Sequence, residues 1–435
     1  MHRERGCGRF FERAEPSRPN PPATGDQPYH HSRHRRLGER DTDTDTDTDT
    51  DTDTDTEVPF DVMDAARSRQ ESQLTSCPEL SVTRAYYDEV LRRGPPALSD
   101  AIEVRLEQRD ESPWPVYKSV HAKRRFESGD VVFVEDPLVL MQHVHNDVPC
   151  CSVCLRFVDD DVCCLVGTRF CAECRRSSTA YRVHRRYMCS SPESGCGPGG
   201  ARALEAFYAM AEQTNDVFVL AGKLLADVMY AARASALEEA WRPYSMGFKM
   251  PWWVQVARPE DVPEDEEEEF RGQLKELAED AFELFCAVVS ERNGEEFRRY
   301  SGNLLSLDVW GSVVGMFELN NLSILARGPT TTAAGEDDED EDDERDDALV
   351  EGSGFYRIHS CFNHSCDPNC RVLLPRGDHE NAQAIVQATR TIASGEELLV
   401  SYCEEDDPIE ERHRVLQDYG FACQCGRCVL EQEFC

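Results

Sequence analysis

The sequence predicts an α+β protein carrying cysteine-rich modules. Three observations lead there. Residues 201–327 hold apolar stripes at helical spacing, and residues 353–403 hold short β-branched runs cut by turn residues. The 20 cysteines fall largely into short clusters rather than being scattered along the 435 residues.

Charge narrows the class. The formal net charge is −37. The Asp-Thr repeat at 41–56 and the run at 260–269 contribute −8 each, the run at 336–347 contributes −10, and −11 remains for everything else. An acidic chain disfavours broad contact with a phosphate backbone, so no direct sequence-specific nucleic-acid binding is expected. It suits a basic partner instead. No stretch of about 18 apolar residues occurs, so no membrane span is expected. Residues 1–40 hold nine arginines and no apolar h-region, which does not read as a signal peptide. Clustered cysteines in such a chain read as zinc ligands rather than disulfides.

The elements follow in order. Residues 1–75 read as disordered, being rich in Pro, Arg and His before a repeat that can bury nothing. HHSRHRR (30–36) reads as a solvated basic stretch. Residues 76–113 form a helical lead-in, with helices over SVTRAYYDEVLRR (81–93) and ALSDAIEVRLEQR (97–109). VVFVEDPLVLM (131–141) reads as two strands broken at Asp136-Pro137. A cysteine-rich segment occupies 150–196, and a helical region 197–328. In the latter, Phe270, Leu274, Leu277, Ala281, Leu284, Phe285 and Val288 make one apolar stripe. WGSVVGMFELNNLSI (310–324) is apolar, with Asn320-Asn321 near its end. Residues 329–352 read as an acidic loop. NCRVLLP, AQAIVQATRTI and ELLVSY predict three short strands, separated by PRGDHE and ASGEE. Residues 409–420 predict a short helix ended by Gly420.

The cysteines define candidate metal sites. Cys151/Cys154 and Cys171/Cys174 are two C-x2-C pairs, whose four thiolates suit one tetrahedral zinc. A second set is Cys163, Cys164, His184 and Cys189, with Cys196 as a substitute ligand. The two sets interleave, as in a cross-braced two-zinc module. Cys423, Cys425 and Cys428 need a fourth ligand, and spacing does not choose among Cys366, Cys361, Cys370, Cys403, Cys435 and His413. Closed sites of this type are structural. In NHSCDPNC (363–370), residues two apart on an extended chain lie about 6.5–7 Å apart. No direct bond between His364 and Cys366 is expected, and a cysteine nucleophile is disfavoured.

NHSCDPNC, GEELLVSY (395–402) and YGFACQCGRC (419–428) occur in the motif order of SET-domain lysine methyltransferases, and the chain resembles that family. The segment 150–196 resembles a MYND zinc finger inserted as in the SET-and-MYND type. TNDVFVLAGK (214–223), EAWRPYSMGFKMPWW (239–253), GMFELNNL (315–322) and DDPIEERHRVLQDYGFACQCGRC (406–428) bring it closest to the plant trithorax-related protein 2 type.

The resemblance implies a SET β-clip fold with a pseudoknot, split into 114–149 and 353–403. MYND-like finger and helical insertion interrupt it, and a zinc-binding post-SET segment (404–435) follows. It implies S-adenosylmethionine as methyl donor and about three zinc ions. By motif position, Asn363 and His364 contact the donor, Asn320 faces it, and Phe421 stacks near its adenine. Tyr402 is the catalytic tyrosine, and Tyr419 walls the lysine channel. Cys366 becomes the fourth ligand for Cys423, Cys425 and Cys428. Ser119 departs from the family, standing where a donor-binding GxG segment usually has glycine, which allows close backbone approach. The helical tail domain of many members is missing, which implies a more open substrate cleft.

These residues suit in-line methyl transfer to a neutral lysine amine. That reaction needs alignment and exclusion of water rather than a covalent intermediate. Desolvation and the sulfonium charge both lower the lysine pKa, and a tyrosine hydroxyl with backbone carbonyls orients the methyl through CH···O contacts. The expected function is S-adenosylmethionine-dependent protein-lysine N-methylation. The expected substrate is a histone tail, in a protein that is nuclear or shared between nucleus and cytoplasm. Two alternatives stand beside it: a zinc-finger scaffold with a weak or inactive SET domain, whose finger takes a proline-rich peptide, and a methyltransferase of a non-histone protein.

Overall fold

The computed structural model describes residues 60–95, 98–109, 115–158, 162–164, 166–259, 262–327, 349–373 and 382–434. The Asp-Thr repeat, the HHSRHRR patch, the acidic run at 336–347, the PRGDHE turn and Cys435 lie outside these residues.

Ten strands among the described residues make four small sheets. β1 (Ile102–Gln108) pairs antiparallel with β2 (Val116–Ala122). β3 (Val131–Glu135) pairs with β9 (Ala384–Ala388), which pairs with β8 (Cys370–Leu373). β4 (Val139–Gln142) pairs with β6 (Leu349–Phe355), which pairs with β5 (Asn321–Arg327). The fourth sheet is a two-residue parallel pair, β7 (Asn363–His364) against β10 (Leu399–Val400), with Asn363 opposite Leu399 and His364 opposite Val400. Bridges His121↔Glu397 and Phe126↔Ile392 tie the β2 region to the chain around β10. Strands from both ends of the sequence therefore share one core of Ile102, Val120, Phe126, Phe362, Val386, Ile392 and Leu398.

Between β4 and β5 lies a helical body with a separate core centred on fully buried Trp310. Its longest helix, Glu267–Arg292, begins with Glu267, Glu268 and Glu269 at the positive end of the helix dipole. Phe270, Leu274, Ala281, Phe285 and Val288 of the expected stripe are buried, while Leu277 and Leu284 are half-buried at its edge. Phe285 stacks on Trp310 with ring centroids 5.5 Å apart. Helix Leu307–Asn320 is capped by Ser306, whose hydroxyl accepts from Val309 N at 3.2 Å. Its Gly315 allows close approach: a Cβ there would lie 2.0 Å from the Met250 carbonyl oxygen.

The predicted helix 81–93, the two strands broken at Asp136-Pro137, and the strands around 370, 384 and 399 are all present. Gly420 has φ +76° after helix Ile409–Leu416 and a short 3-10 turn. Two expectations need correction. ALSDAIEVRLEQR is one helical turn, Leu98–Ala101, followed by β1. Ile102, Val104 and Leu106 alternate with Glu103, Arg105 and Glu107, a period of two that β2 pairs with. Regular structure also begins earlier than residue 80, with helix Phe60–Thr75. Leu74 of that helix is buried in the helical body, and Gln70 accepts a 2.9 Å bond from the Asn303 amide.

Candidate active site and metal centres

The parallel β7–β10 pair organises the site. The segment leading into β7 is fixed by buried Glu135, which accepts from Ile358 N at 2.9 Å and His359 N at 3.0 Å. Burial pushes this carboxyl up to about 7, against the pull of those two backbone bonds. Asn363 donates to the Lys118 carbonyl at 3.0 Å and to Glu397 at 2.7 Å, so β7 is sewn to both β2 and the approach to β10.

His364 connects three parts of the site. Its Nδ1 accepts from Tyr402 N at 2.9 Å, so Nε2 carries the proton and donates to Cys366 Sγ at 3.2 Å. Burial, with the nearby positive groups of Arg412 and His413, holds the ring down at about 4, so it is neutral near pH 7. The His364–Cys366 contact corrects the expectation drawn from extended geometry. Backbone extension ends at His364, and the chain bends at Cys366 and Asp367, folding the thiol back toward the imidazole.

Aromatic rings gather beside it. Tyr402 lies 4.8 Å from Tyr419, 5.3 Å from His364 and 6.5 Å from Phe421, centroid to centroid. The Tyr402 hydroxyl donates to the Phe362 carbonyl. Burial raises its pKa far above the usual phenol value, with Tyr419 and Tyr117 adding to the effect, so the hydroxyl stays protonated. Phe421 is 39% exposed and presents its ring at the rim. Asn320 is buried. Its amide donates to the Phe248 and Met316 carbonyls at 3.0 and 2.6 Å and accepts from Phe248 N at 3.3 Å, so it holds the turn that follows helix Leu237–Ser245. Ser119 is buried in β2, with its hydroxyl 3.1 Å from His121 Nε2.

Sequence reasoning missed two buried lysines beside this turn. Lys118 donates to the Met246 carbonyl and lies 4.0 Å above the Phe248 ring. Lys249 donates to the Ser245 and Gly247 carbonyls at 2.5 and 3.2 Å. Neither meets a carboxylate among the described residues, and burial pushes Lys249 down to about 8. A lysine inside the apolar run VYKSV was the available signal for Lys118.

The cysteine clusters match zinc geometry. Zn–S bonds of about 2.3 Å at tetrahedral angles place sulfurs about 3.8 Å apart. Cys151, Cys154, Cys171 and Cys174 converge within 4.8 Å, with Cys154 and Cys171 at 3.9 Å. Cys163, His184 and Cys189 form a second group, with Cys163 and Cys189 at 3.9 Å and Cys164 Sγ 3.7 Å from His184 Nε2. Cys196 bonds the Gly197 carbonyl instead. Of the candidates offered to Cys423, Cys425 and Cys428, it is Cys366 that joins them within 4.8 Å. Cys361 turns to the Arg357 carbonyl, Cys370 is buried in the β core, and Cys403 groups with Cys366 and His364 only. Fully buried Arg412 lies against the completed cluster, 3.7 Å from Cys428 Sγ, and pairs with Glu431. A four-thiolate zinc held here would carry net negative charge, which this guanidinium would offset.

No helix among the described residues is long and apolar enough to cross a membrane. A profile of the SET domain matches residues 118–403. The Arabidopsis thaliana histone-lysine N-methyltransferase ATXR2 is 28% identical over 424 residues, which cover 72% of this chain and 88% of that protein. The Danio rerio protein-lysine N-trimethyltransferase SMYD5 is 24% identical over 371 residues, covering 73% of this chain and 85% of its own. The Mus musculus histone-lysine N-methyltransferase SMYD3 is 42% identical over a shorter 83 residues, 19% of this chain and 18% of that one. Among solved structures, the SET domain of LSMT bound to lysine and AdoHcy covers 80% of this chain and 58% of its own, at TM-score 0.36 and 11% identity. With more than half of its length matched as a SET domain, this chain belongs to the SET-domain family of S-adenosylmethionine-dependent lysine methyltransferases.

Proposed function

We propose that this chain transfers the methyl group of S-adenosylmethionine to the ε-amine of a lysine in a histone tail, in the nucleus. The observation that carries the reading is the convergence of Asn363, His364, Tyr402, Tyr419 and Phe421 on the β7–β10 pair. The donor supplies an electrophilic methyl on a sulfonium. The chain's residues do the rest. Tyr402 keeps its proton and points its hydroxyl at the Phe362 carbonyl, giving two oxygens that can line the end of a lysine channel. Tyr419 forms a wall of that channel, and Phe421 offers a ring face for the adenine. Asn363 and His364 fix the strand beneath the donor, and Asn320 shapes the turn beside it. Lys118 and Lys249 lack a carboxylate partner among the described residues, which the amino-acid end of the donor would provide.

About three zinc ions complete the proposal, held by the three cysteine clusters. The interleaved pair in 150–196 would form the MYND-like finger, a surface for proline-rich peptides. The cluster of Cys366, Cys423, Cys425 and Cys428 would form the post-SET site, with the NHSC segment threaded as a pseudoknot. The acidic chain and its similarity to the histone-lysine N-methyltransferases ATXR2 and SMYD3 support a histone substrate.

The test is methyl transfer from labelled donor to core histones, alongside a total cell extract, after donor binding is measured by calorimetry. Binding followed by labelled histones is the expected result. Labelled extract with unlabelled histones overturns the histone assignment, and absent donor binding overturns the enzymatic reading.

A further inference from the structure

A fourth group of ligand-type side chains lies away from all the cysteine clusters, where the end of β4, the start of helix Val217–Ala231 and β6 meet. We infer that His143, His145 and Asp216 bind one divalent transition-metal ion, zinc or a metal of similar ligand preference, in a site built from nitrogen and oxygen donors without thiolate.

One donor atom of each residue lies within 4.8 Å of the other two. The sequence His143-Val144-His145 follows β4, and the chain turns there, bringing the two rings to 5.5 Å. Asp216 accepts a 3.4 Å bond from Val144 N, the residue between them. The ring nitrogens divide their work. His143 Nε2 is 2.9 Å from Ser353 Oγ, and His145 Nε2 is 3.4 Å from Glu351 Oε2. Ser353 and Glu351 stand two apart on β6 and so share one face. Each Nδ1 is left without a hydrogen-bond partner among the described residues. Metal-binding histidines ordinarily have this arrangement: one nitrogen oriented by a hydroxyl or carboxylate, the other free for the metal.

Local charge points the same way. Asp216, Glu351 and half-buried Glu318 crowd this corner, and none meets a lysine or arginine within 4 Å among the described residues. Burial pushes the Glu318 carboxyl up to about 7, and the negative charge of Asp216 is one of the smaller contributors. Burial also lowers His143 below its ordinary value, with His145 lowering it further, while Asp216 and Glu351 face it and pull it upward. Two imidazoles and a carboxylate suit zinc and its neighbours rather than calcium or magnesium. The ion would join the β4–β6 sheet to the helical body a few residues before Cys150, where the chain enters the cysteine-rich segment.

Cobalt(II) separates this site from the thiolate clusters, because cobalt bound by sulfur shows an intense near-ultraviolet charge-transfer band that nitrogen and oxygen ligands do not give. The full-length chain, given only the zinc its cysteine clusters retain after brief chelator treatment, is titrated with Co²⁺, beside His145→Ala and Asp216→Asn treated alike, with folding checked by circular dichroism. The His145 side chain is 66% exposed, so its removal should leave the fold intact. The expected result is one saturable equivalent of cobalt in the wild type, with weak visible bands and no sulfur band, lost in both variants while the zinc count of the cysteine clusters stays the same. Equal uptake by wild type and variants, no uptake by the wild type, or a sulfur band in the difference spectrum would overturn the inference.

Discussion

The C-terminal cysteine cluster and the paired clusters of residues 150–196 are made of similar ligands but connected to different parts of the molecule. Cys366 lies two residues after His364, and the His364 ring bonds both its thiol and the backbone of Tyr402. Phe421 precedes Cys423 by two residues and faces His364 at 5.9 Å. A metal bound at this cluster would therefore fix the strand, ring and hydroxyl of the proposed site. The other two clusters connect to the helical body instead. Arg292 at the end of helix Glu267–Arg292 donates to the Arg186 carbonyl at 3.0 Å and the Arg185 carbonyl at 2.8 Å, and Arg186 pairs with Glu296 at 2.6 Å. The C-terminal cluster thus adjoins the candidate active site, while the other two clusters adjoin the helical body.

The largest effect expected from this difference follows removal of a ligand. Cys423→Ser should release one zinc, lower methyl transfer by at least about 100-fold and weaken donor binding, because the Phe421 segment loses its anchor. Cys171→Ser should also release zinc, yet leave donor affinity within about 3-fold. Zinc content by mass spectrometry and donor affinity by calorimetry check both. Equal loss of donor affinity in the two variants would show that the clusters are not wired differently.

Tyr402→Phe sharpens the comparison from inside the site. The ring and its contact with Tyr419 remain, and only the hydroxyl that reaches the Phe362 carbonyl is lost. Methyl transfer should fall about 100-fold with zinc content and donor affinity unchanged. Single-turnover transfer beside calorimetry reads the two quantities apart. A fall in zinc content instead would place Tyr402 in the metal framework rather than in the chemistry.

Much of this was legible in the sequence because the relevant signals are local. C-x2-C pairs, Gly420 after a helical pattern, and β-branched runs between turn residues each describe a few neighbouring positions. What stayed hidden depends on contacts across long separations. Three cysteines in C-x-C-x2-C show that a ligand is missing but not which, since Cys366 is more than fifty residues away and only the folded chain brings it in. The His364–Cys366 bond was misjudged for a related reason. An extended chain was assumed through a segment whose bend is imposed by Asn363 and His364 pairing with β10 on one side and Cys366 joining the cluster on the other. ALSDAIEVRLEQR reads as a helix in isolation, and it is pairing with β2 that turns its alternating face into a strand. The apolar run around Lys118 hints at its burial, but the pairing of Lys118 and Lys249 with the 245–249 turn emerges only in the fold.

The smallest effects should come from the arginines that buttress each kind of cluster, and they test the same difference more finely. Arg412 is fully buried, lies 3.7 Å from Cys428 Sγ, and donates to Glu431 at 2.5 Å. Arg412→Met keeps much of the packing volume but removes the positive charge beside four thiolates. The metal then loses a partner that orients and neutralises its ligands, and zinc affinity there should fall about 10-fold to 100-fold. Because that zinc anchors Phe421, donor affinity should fall with it and recover when zinc is supplied in excess. Arg292→Met removes hydrogen bonds to backbone carbonyls at the edge of the other module, a loss of about 1–2 kcal/mol in local stability. It should expose residues 150–196 to faster hydrogen exchange without moving donor affinity at any zinc concentration. The zinc-dependent recovery is the discriminating readout. A general loss of folding would weaken donor binding in either variant and would not be reversed by metal, whereas a charge acting through the C-terminal cluster must be.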